Sequence, residues 1–183
     1  MISFSNENAA FESKLFAVEE KDYGSDYKKH LLEQYKLYVE MADRISSRRS
    51  KANTFFLSCN TLLVTAIGIL SKLESGFESL NLWWVLTTSF AGILFCWTWL
   101  TIINSYRQLN TGKFKVINTI ELRLPLAGYG AEWLFLKPKR GISRYKQLTV
   151  VETLVPKIFG VVYFALMIVA TILLANPWFA LLN

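Results

Sequence analysis

Histidine occurs once in the 183 residues, at His30, and cysteine twice, at Cys59 and Cys96. Zinc and iron sites draw their ligands from clusters of these side chains, so no metal centre is expected. A nucleophile–base–acid triad has no histidine to work with, because His30 stands alone in a charged stretch with Lys28, Lys29 and Glu33. Both cysteines fall inside apolar runs, where two small packing residues are a better reading than a disulfide. Glycine is sparse where a phosphate loop would need it. Gly128 and Gly130 are not followed by the lysine and hydroxyl of such a loop. No cofactor is expected, and an enzyme is the least supported class.

The other absence is charge. Lys51 and Lys72 bracket 20 residues without a charged side chain, Glu78 and Arg107 bracket 28, and 26 more follow Lys157. A helix needs about 20 mainly apolar residues to cross about 30 Å of hydrocarbon. A soluble domain of this size could hardly bury three such helices. The expected class is an all-α integral membrane protein, with transmembrane helices at 53–71, 82–105 and 157–176. Met1-Ile2-Ser3-Phe4-Ser5-Asn6-Glu7 lacks a basic region followed by an apolar core, so a cleaved signal peptide is not expected.

The cations fix an expected orientation. Nine Lys or Arg precede the first span, one (Lys72) lies between spans one and two, and ten run from Arg107 to Lys157. Cytoplasmic flanks collect Lys and Arg. The amino terminus and the segment 106–156 are therefore expected in the cytoplasm, and the loop 72–81 and tail 177–183 outside. Trp83, Trp84 and Trp178 fall where spans would meet the outer interface, a common place for tryptophan. Arg48, Arg49, Lys51, Lys137, Lys139 and Arg140 are expected at lipid headgroups. The net charge of +6 is explained by this bias and by anionic lipid, without nucleic acid.

Residues 1–24 lack a clear period and are expected to form a mobile or loosely docked arm. Ser25 or Asp26 can cap a cytoplasmic helix at 25–52. Within it Leu31, Tyr35, Tyr38, Ala42 and Ile45 recur at spacings of four, three, four and three, the seam of a helix that packs on another helix. That partner is either the chain's own middle segment or a neighbouring copy. Neither proline nor glycine lies between Gly24 and Gly68, so one helix is expected to run from the cytoplasm into span one. In the middle segment Phe114, Ile117, Ile120 and Leu124 predict a short amphipathic helix closed by Pro125. Trp133 belongs to an apolar patch, Lys137 to Gly141 form a basic loop, and a last helix with Leu148, Val151 and Val155 on one face leads through Pro156 into span three. Together these make a helical cap beneath the membrane.

Several strings in the chain are shared with a known family. They include Lys113-Phe114-Lys115-Val116-Ile117 with Glu121, Leu124-Pro125 and Glu132-Trp133. Tyr145, Leu148-Thr149, Glu152 and Val155-Pro156-Lys157-Ile158-Phe159 form a second group. Tyr35, Tyr38, Met41-Ala42-Asp43, Ser46, Arg48-Arg49, Ala52-Asn53 and Phe55-Phe56 form a third. Over about residues 28–165 the chain resembles the RipA-type family of small bacterial membrane proteins, described as octameric. The resemblance implies a bacterial inner membrane, a homo-octamer and no known enzymatic activity. Some relatives of this general design are linked to stress or anti-phage defence as membrane effectors.

Asn60, Thr61 and Thr65 are polar residues of span one. They either bond a neighbouring helix or, if eight copies ring an axis, line a lumen. Apart from Lys157 at the edge of span three, no charged residue lies in any span, which counts against a pump or a charge-selective transporter. Glu121, Glu132 and Glu152 are expected to pair with cations such as Arg123 or Arg107 rather than to form a catalytic dyad. The expected function is a non-enzymatic homo-oligomeric scaffold or membrane-stress component whose cytoplasmic cap docks a protein. A gated pore answering a cytoplasmic partner is the alternative, and an accessory subunit of a larger complex the third reading.

Overall fold

Forty-seven residues containing one glycine and no proline form a single helix, α3 (Tyr27–Leu73), the continuous helix that the sequence predicts. The computed structural model describes residues 2–73, 79–136 and 148–175, and these are helical apart from short turns. The remaining elements are α1 (Ile2–Leu15), α2 (Glu20–Tyr23), α4 (Ser79–Glu121), α5 (Gly128–Leu136) and α6 (Leu148–Ala175). Residues 177–183 with Trp178, the stretch with Lys137, Lys139 and Arg140, and residues 74–78 of the segment expected to link spans one and two lie outside the described residues.

Two boundaries differ from the sequence reading. A separate short helix was expected after span two, but α4 runs without a break through Glu121. Only Gly112 weakens the stretch, by about 1 kcal/mol relative to alanine, and that is too little to end a long helix. The helix stops where the Arg123 N–H bonds the Ile120 carbonyl at 2.9 Å and the Leu124 N–H bonds the Glu121 carbonyl at 3.0 Å. These tighter turns precede Pro125, which cannot continue the ladder. At the amino terminus, α1 and α2 occupy the residues expected to form a mobile or loosely docked arm. α6 passes through Pro156, as expected, and that proline is buried. Val151, expected on one face with Leu148 and Val155, is half-exposed.

Three helices are long and apolar enough to cross a membrane, within Tyr27–Ile69, Leu82–Glu121 and Val150–Ala175. They cover most of each of the three predicted spans. By packing, the chain divides into two units. The first comprises residues 1–47 and 108–145, the second 48–107 and 146–183. In the second unit Phe56 stacks on Trp99 with ring centroids 5.7 Å apart, and both pack with Ile103 against Phe95, Val155 and Phe159. A second cluster joins Ile67, Cys96 and Tyr163. In the first unit Leu31, Ala42, Ile117 and Ile120 are the buried apolar residues.

Candidate self-association surfaces and the buried polar network

The second unit holds its spans together with a polar thread inside an apolar core. Asn60 on α3 is fully buried. Its Nδ2 donates to the Phe56 carbonyl at 2.8 Å, and its Oδ1 lies 3.4 Å from the Cys96 thiol of α4. The Tyr163 hydroxyl of α6 donates to the Asn60 carbonyl at 3.3 Å. One residue thus meets two other helices. Two turns earlier, the Trp99 indole N–H donates to Asn53 Oδ1 at 2.9 Å. In hydrocarbon an unpaired amide is costly, so these bonds fix the rotational setting of the helices. Asn60 therefore serves interhelical contact, and its side chain has no exposed surface to offer a lumen.

Thr61 and Thr65 sit differently. Both are exposed, and each hydroxyl is turned back to its own helix, Thr61 to the Leu57 carbonyl at 2.9 Å and Thr65 to the Thr61 carbonyl at 2.8 Å. Thr54 does the same with the Ser50 carbonyl, and Ser58 is exposed between them. Thr54, Ser58, Thr61 and Thr65 are spaced four, three and four apart, so they form one stripe along α3. Apolar side chains flank it, among them Phe55, Leu57 and Leu62, all exposed.

In the first unit the seam of α3 faces the chain's own α4. Leu31 and Ala42 are buried, Lys113 lies 4.8 Å from the centre of the Tyr38 ring, and the Tyr35 hydroxyl donates to Glu121 Oε1 at 2.8 Å. Glu121 is the centre of this unit. It is buried, and in place of the expected cation it meets neutral donors. Besides Tyr35, the Tyr129 N–H reaches Oε1 and the Gly130 N–H reaches Oε2, each at 3.2 Å. Those amides open α5, whose first-turn N–H groups have no partner within the helix, so the carboxylate caps α5. Burial, together with the neighbouring carboxylate that accepts its proton, pushes the Tyr35 hydroxyl up to about 12, which keeps it a donor at physiological pH.

Arg123 is engaged elsewhere. Its guanidinium lies 3.3 Å from the centre of the Phe16 ring and donates to the Tyr27 hydroxyl at 3.0 Å. Lys115 lies 4.5 Å from the centre of the Phe11 ring. Cations over ring faces thus tie residues 11–16 to α4 and the turn that follows it, each such contact contributing about 0.5–1 kcal/mol at exposed sites. Glu132 and Trp133 are exposed on α5.

Glu152, in the second unit, does find a cation, because Arg49 of α3 forms a salt bridge with it and both side chains are largely shielded from solvent. Arg48 and Lys51 are exposed. Tyr163 and Gly92 carry much of the packing yet stand out in no sequence pattern; the one available hint was that Gly92 is the only glycine of span two.

A model of the octameric membrane protein family (8xMP) matches residues 32–172. The chain belongs to this family. No curated protein and no solved structure matches it. The family match takes in Glu121, Asn60, Gly92 and Tyr163, together with spans one and two and most of span three. It leaves out α1 and α2, so the cation–ring contacts of Phe11 and Phe16 join a segment outside the matched region to Lys115 and Arg123 within it.

Proposed function

We propose that the protein is a non-enzymatic homo-octamer of the bacterial inner membrane, a scaffold or membrane-stress component with its amino terminus in the cytoplasm and its carboxyl terminus outside. The copy number comes from the family's description. The observation that carries the self-association is the exposed stripe of Thr54, Ser58, Thr61 and Thr65 on α3. Helices in lipid associate through small and hydroxyl-bearing residues that let backbones approach, and the stripe has the period of a helix seam. Support for a non-catalytic reading comes from Glu121, whose two carboxylate oxygens are both occupied by donors that hold α5 in place. The charge bias across the spans supports the orientation. The test is the mass of the assembly in lipid nanodiscs, where eight copies are expected. A monomer in nanodiscs and in mild detergent alike would overturn the proposal.

The same stripe supports a second reading, a gated pore whose lumen is lined by Thr61 and Thr65. Ion release from liposomes that carry the purified octamer tests it. Under this reading Thr61→Leu lowers release, while silence from the wild type across cytoplasmic extracts leaves the scaffold reading as the better one.

A further inference from the structure

The first unit leaves the largely apolar helix α5 uncovered. α5 reads Gly-Tyr-Gly-Ala-Glu-Trp-Leu-Phe-Leu and buries none of its residues. Its first turn ties it down, through the two N–H bonds to Glu121 and the Tyr129 ring, whose centre lies 5.7 Å from that of Phe114. Beyond that turn Leu134 is 66% exposed and Phe135 87%, with Trp133 half-exposed beside them. The link from α4 adds Leu122 and Leu126, both largely exposed. Single apolar residues on a surface are ordinary, but a helix face on which several large apolar side chains lie together is normally covered.

Lipid accounts for exposed apolar residues on the spans, but not for these. α5 carries the exposed Glu132 midway along its length, and a carboxylate is costly in hydrocarbon. The end of α4 that holds α5 is edged by Lys115 and Arg123, which are exposed and need water. Membership of an octameric family supplies another occupant, a second copy of the chain.

We propose that α5, with Leu122 and Leu126, is the surface by which the extramembrane unit of one copy seats on its neighbour. The inference rests on the oligomeric reading above and adds where the copies touch outside the membrane. In a closed ring such a contact is head-to-tail, so Phe135 meets a surface of the next copy other than its own counterpart.

The test places a photo-reactive phenylalanine analogue at position 135 of the full-length protein, in membranes holding a mixture of isotope-labelled and unlabelled copies. Native mass measurement runs alongside it. The expected result is a ladder at multiples of 21.0 kDa, with cross-linked peptides that pair labelled with unlabelled extramembrane segments. Cross-links only within one chain, to lipid or to another protein, from an assembly of intact mass, would overturn this inference and leave self-assembly standing. A monomeric mass would overturn both. As a second arm, Leu134→Ser combined with Phe135→Ser should lower the octamer fraction several-fold on dilution, with helicity unchanged. Both side chains are exposed, so folding does not depend on them, and an unchanged octamer fraction would also overturn the inference.

Discussion

Gly92 of α4 lies against the face of the Tyr163 ring of α6, so closely that a Cβ at position 92 would stand 2.6 Å from Cζ and 2.7 Å from both Cε atoms. No real Cβ tolerates that distance, and a ring buried between helices has little room to retreat. Gly92→Ala is therefore expected to displace Tyr163 and break its bond to the Asn60 carbonyl. Overpacking of this kind costs about 1–3 kcal/mol. Thermal unfolding in detergent followed by circular dichroism measures it. Tyr163→Phe removes only the hydroxyl and should cost roughly 0.6 kcal/mol, typical of a bond between helices in lipid. If Gly92→Ala melts no earlier than Tyr163→Phe, the close approach is not a constraint.

Glu121 supports a separate prediction in the first unit. Glu121→Ala leaves the Tyr35 hydroxyl and two α5 amides without their acceptor, at a cost of about 1–3 kcal/mol for each donor that stays buried. Glu121→Gln keeps one carbonyl oxygen and should lose less. Hydrogen exchange at the Tyr129 and Gly130 amides reads the effect locally, with exchange fastest in the alanine variant, intermediate in the glutamine variant and slowest in the wild type. Equal protection in all three would show that the carboxylate does not cap α5.

A pH prediction follows from Tyr35. Its hydroxyl sits at about 12 in the folded chain against its usual value of 10.0. A raised value means that the unfolded chain loses this proton first. The stabilisation is thus complete below pH 10 and fades as pH climbs from about 10 to about 12. Tyr35→Phe should flatten that part of the stability curve while leaving neutral pH only about 1 kcal/mol less stable, the usual net worth of one hydrogen bond. A variant with the same alkaline slope as wild type would contradict the assignment.

The spans and the packing seam of α3 were legible in the sequence because they are periodic properties of one segment. Three charge-free runs give the membrane helices, and the spacing of Leu31, Tyr35, Tyr38, Ala42 and Ile45 gives a packing face. The same spacing could not tell whether the partner was the chain itself or a copy, since both present a similar surface. The partners of Glu121 were hidden for another reason. Two of its donors are backbone amides, available at any residue type, and only the fold decides which helix start comes within reach. A nearby arginine made an ion pair the natural expectation, yet Arg123 turns to Phe16 and Tyr27. Asn60 was recognisable as a polar residue in lipid, but choosing between packing and a lumen required knowing that residues 96 and 163 close over it.

Arg49 and Glu152 offer a contrast within one chain. Their salt bridge is shielded, with side chains 11% and 18% exposed, whereas Arg44 and Glu40, 2.6 Å apart, are 65% and 57% exposed. An exposed pair four residues apart on a helix contributes about 0.3–0.5 kcal/mol and is screened by salt. Removing one partner of a shielded pair strands the other charge, at a cost approaching about 3 kcal/mol where burial is complete. Glu152→Ala should therefore lower the melting temperature well beyond Glu40→Ala, and the gap should persist in high salt. Exchanging the two residues, Arg49→Glu with Glu152→Arg, should recover part of the loss. Equal effects of Glu152→Ala and Glu40→Ala, or no recovery on exchange, would mean that the pair does not hold α3 to α6.

Within span one, neighbouring positions should separate cleanly. Asn60 is enclosed by Cys96 and Tyr163 of its own chain, while Thr61 is exposed with its hydroxyl bonded back to Leu57. Asn60→Leu removes the side-chain amide that accepts from the Cys96 thiol of α4, while keeping the backbone carbonyl that Tyr163 bonds, so it is expected to lower the unfolding temperature of each copy, and any loss of octamer follows from that. Thr61→Leu with Thr65→Leu leaves the fold of each copy alone, because those hydroxyls satisfy only their own helix. Its effect should fall on the assembly, as a smaller octamer fraction at a given dilution with an unchanged unfolding temperature of the dissociated chain. Native mass measurement beside thermal unfolding reads both. A double threonine variant that assembles as fully as the wild type would remove the stripe from the interface and shift the search for the contact to the exposed helix α5.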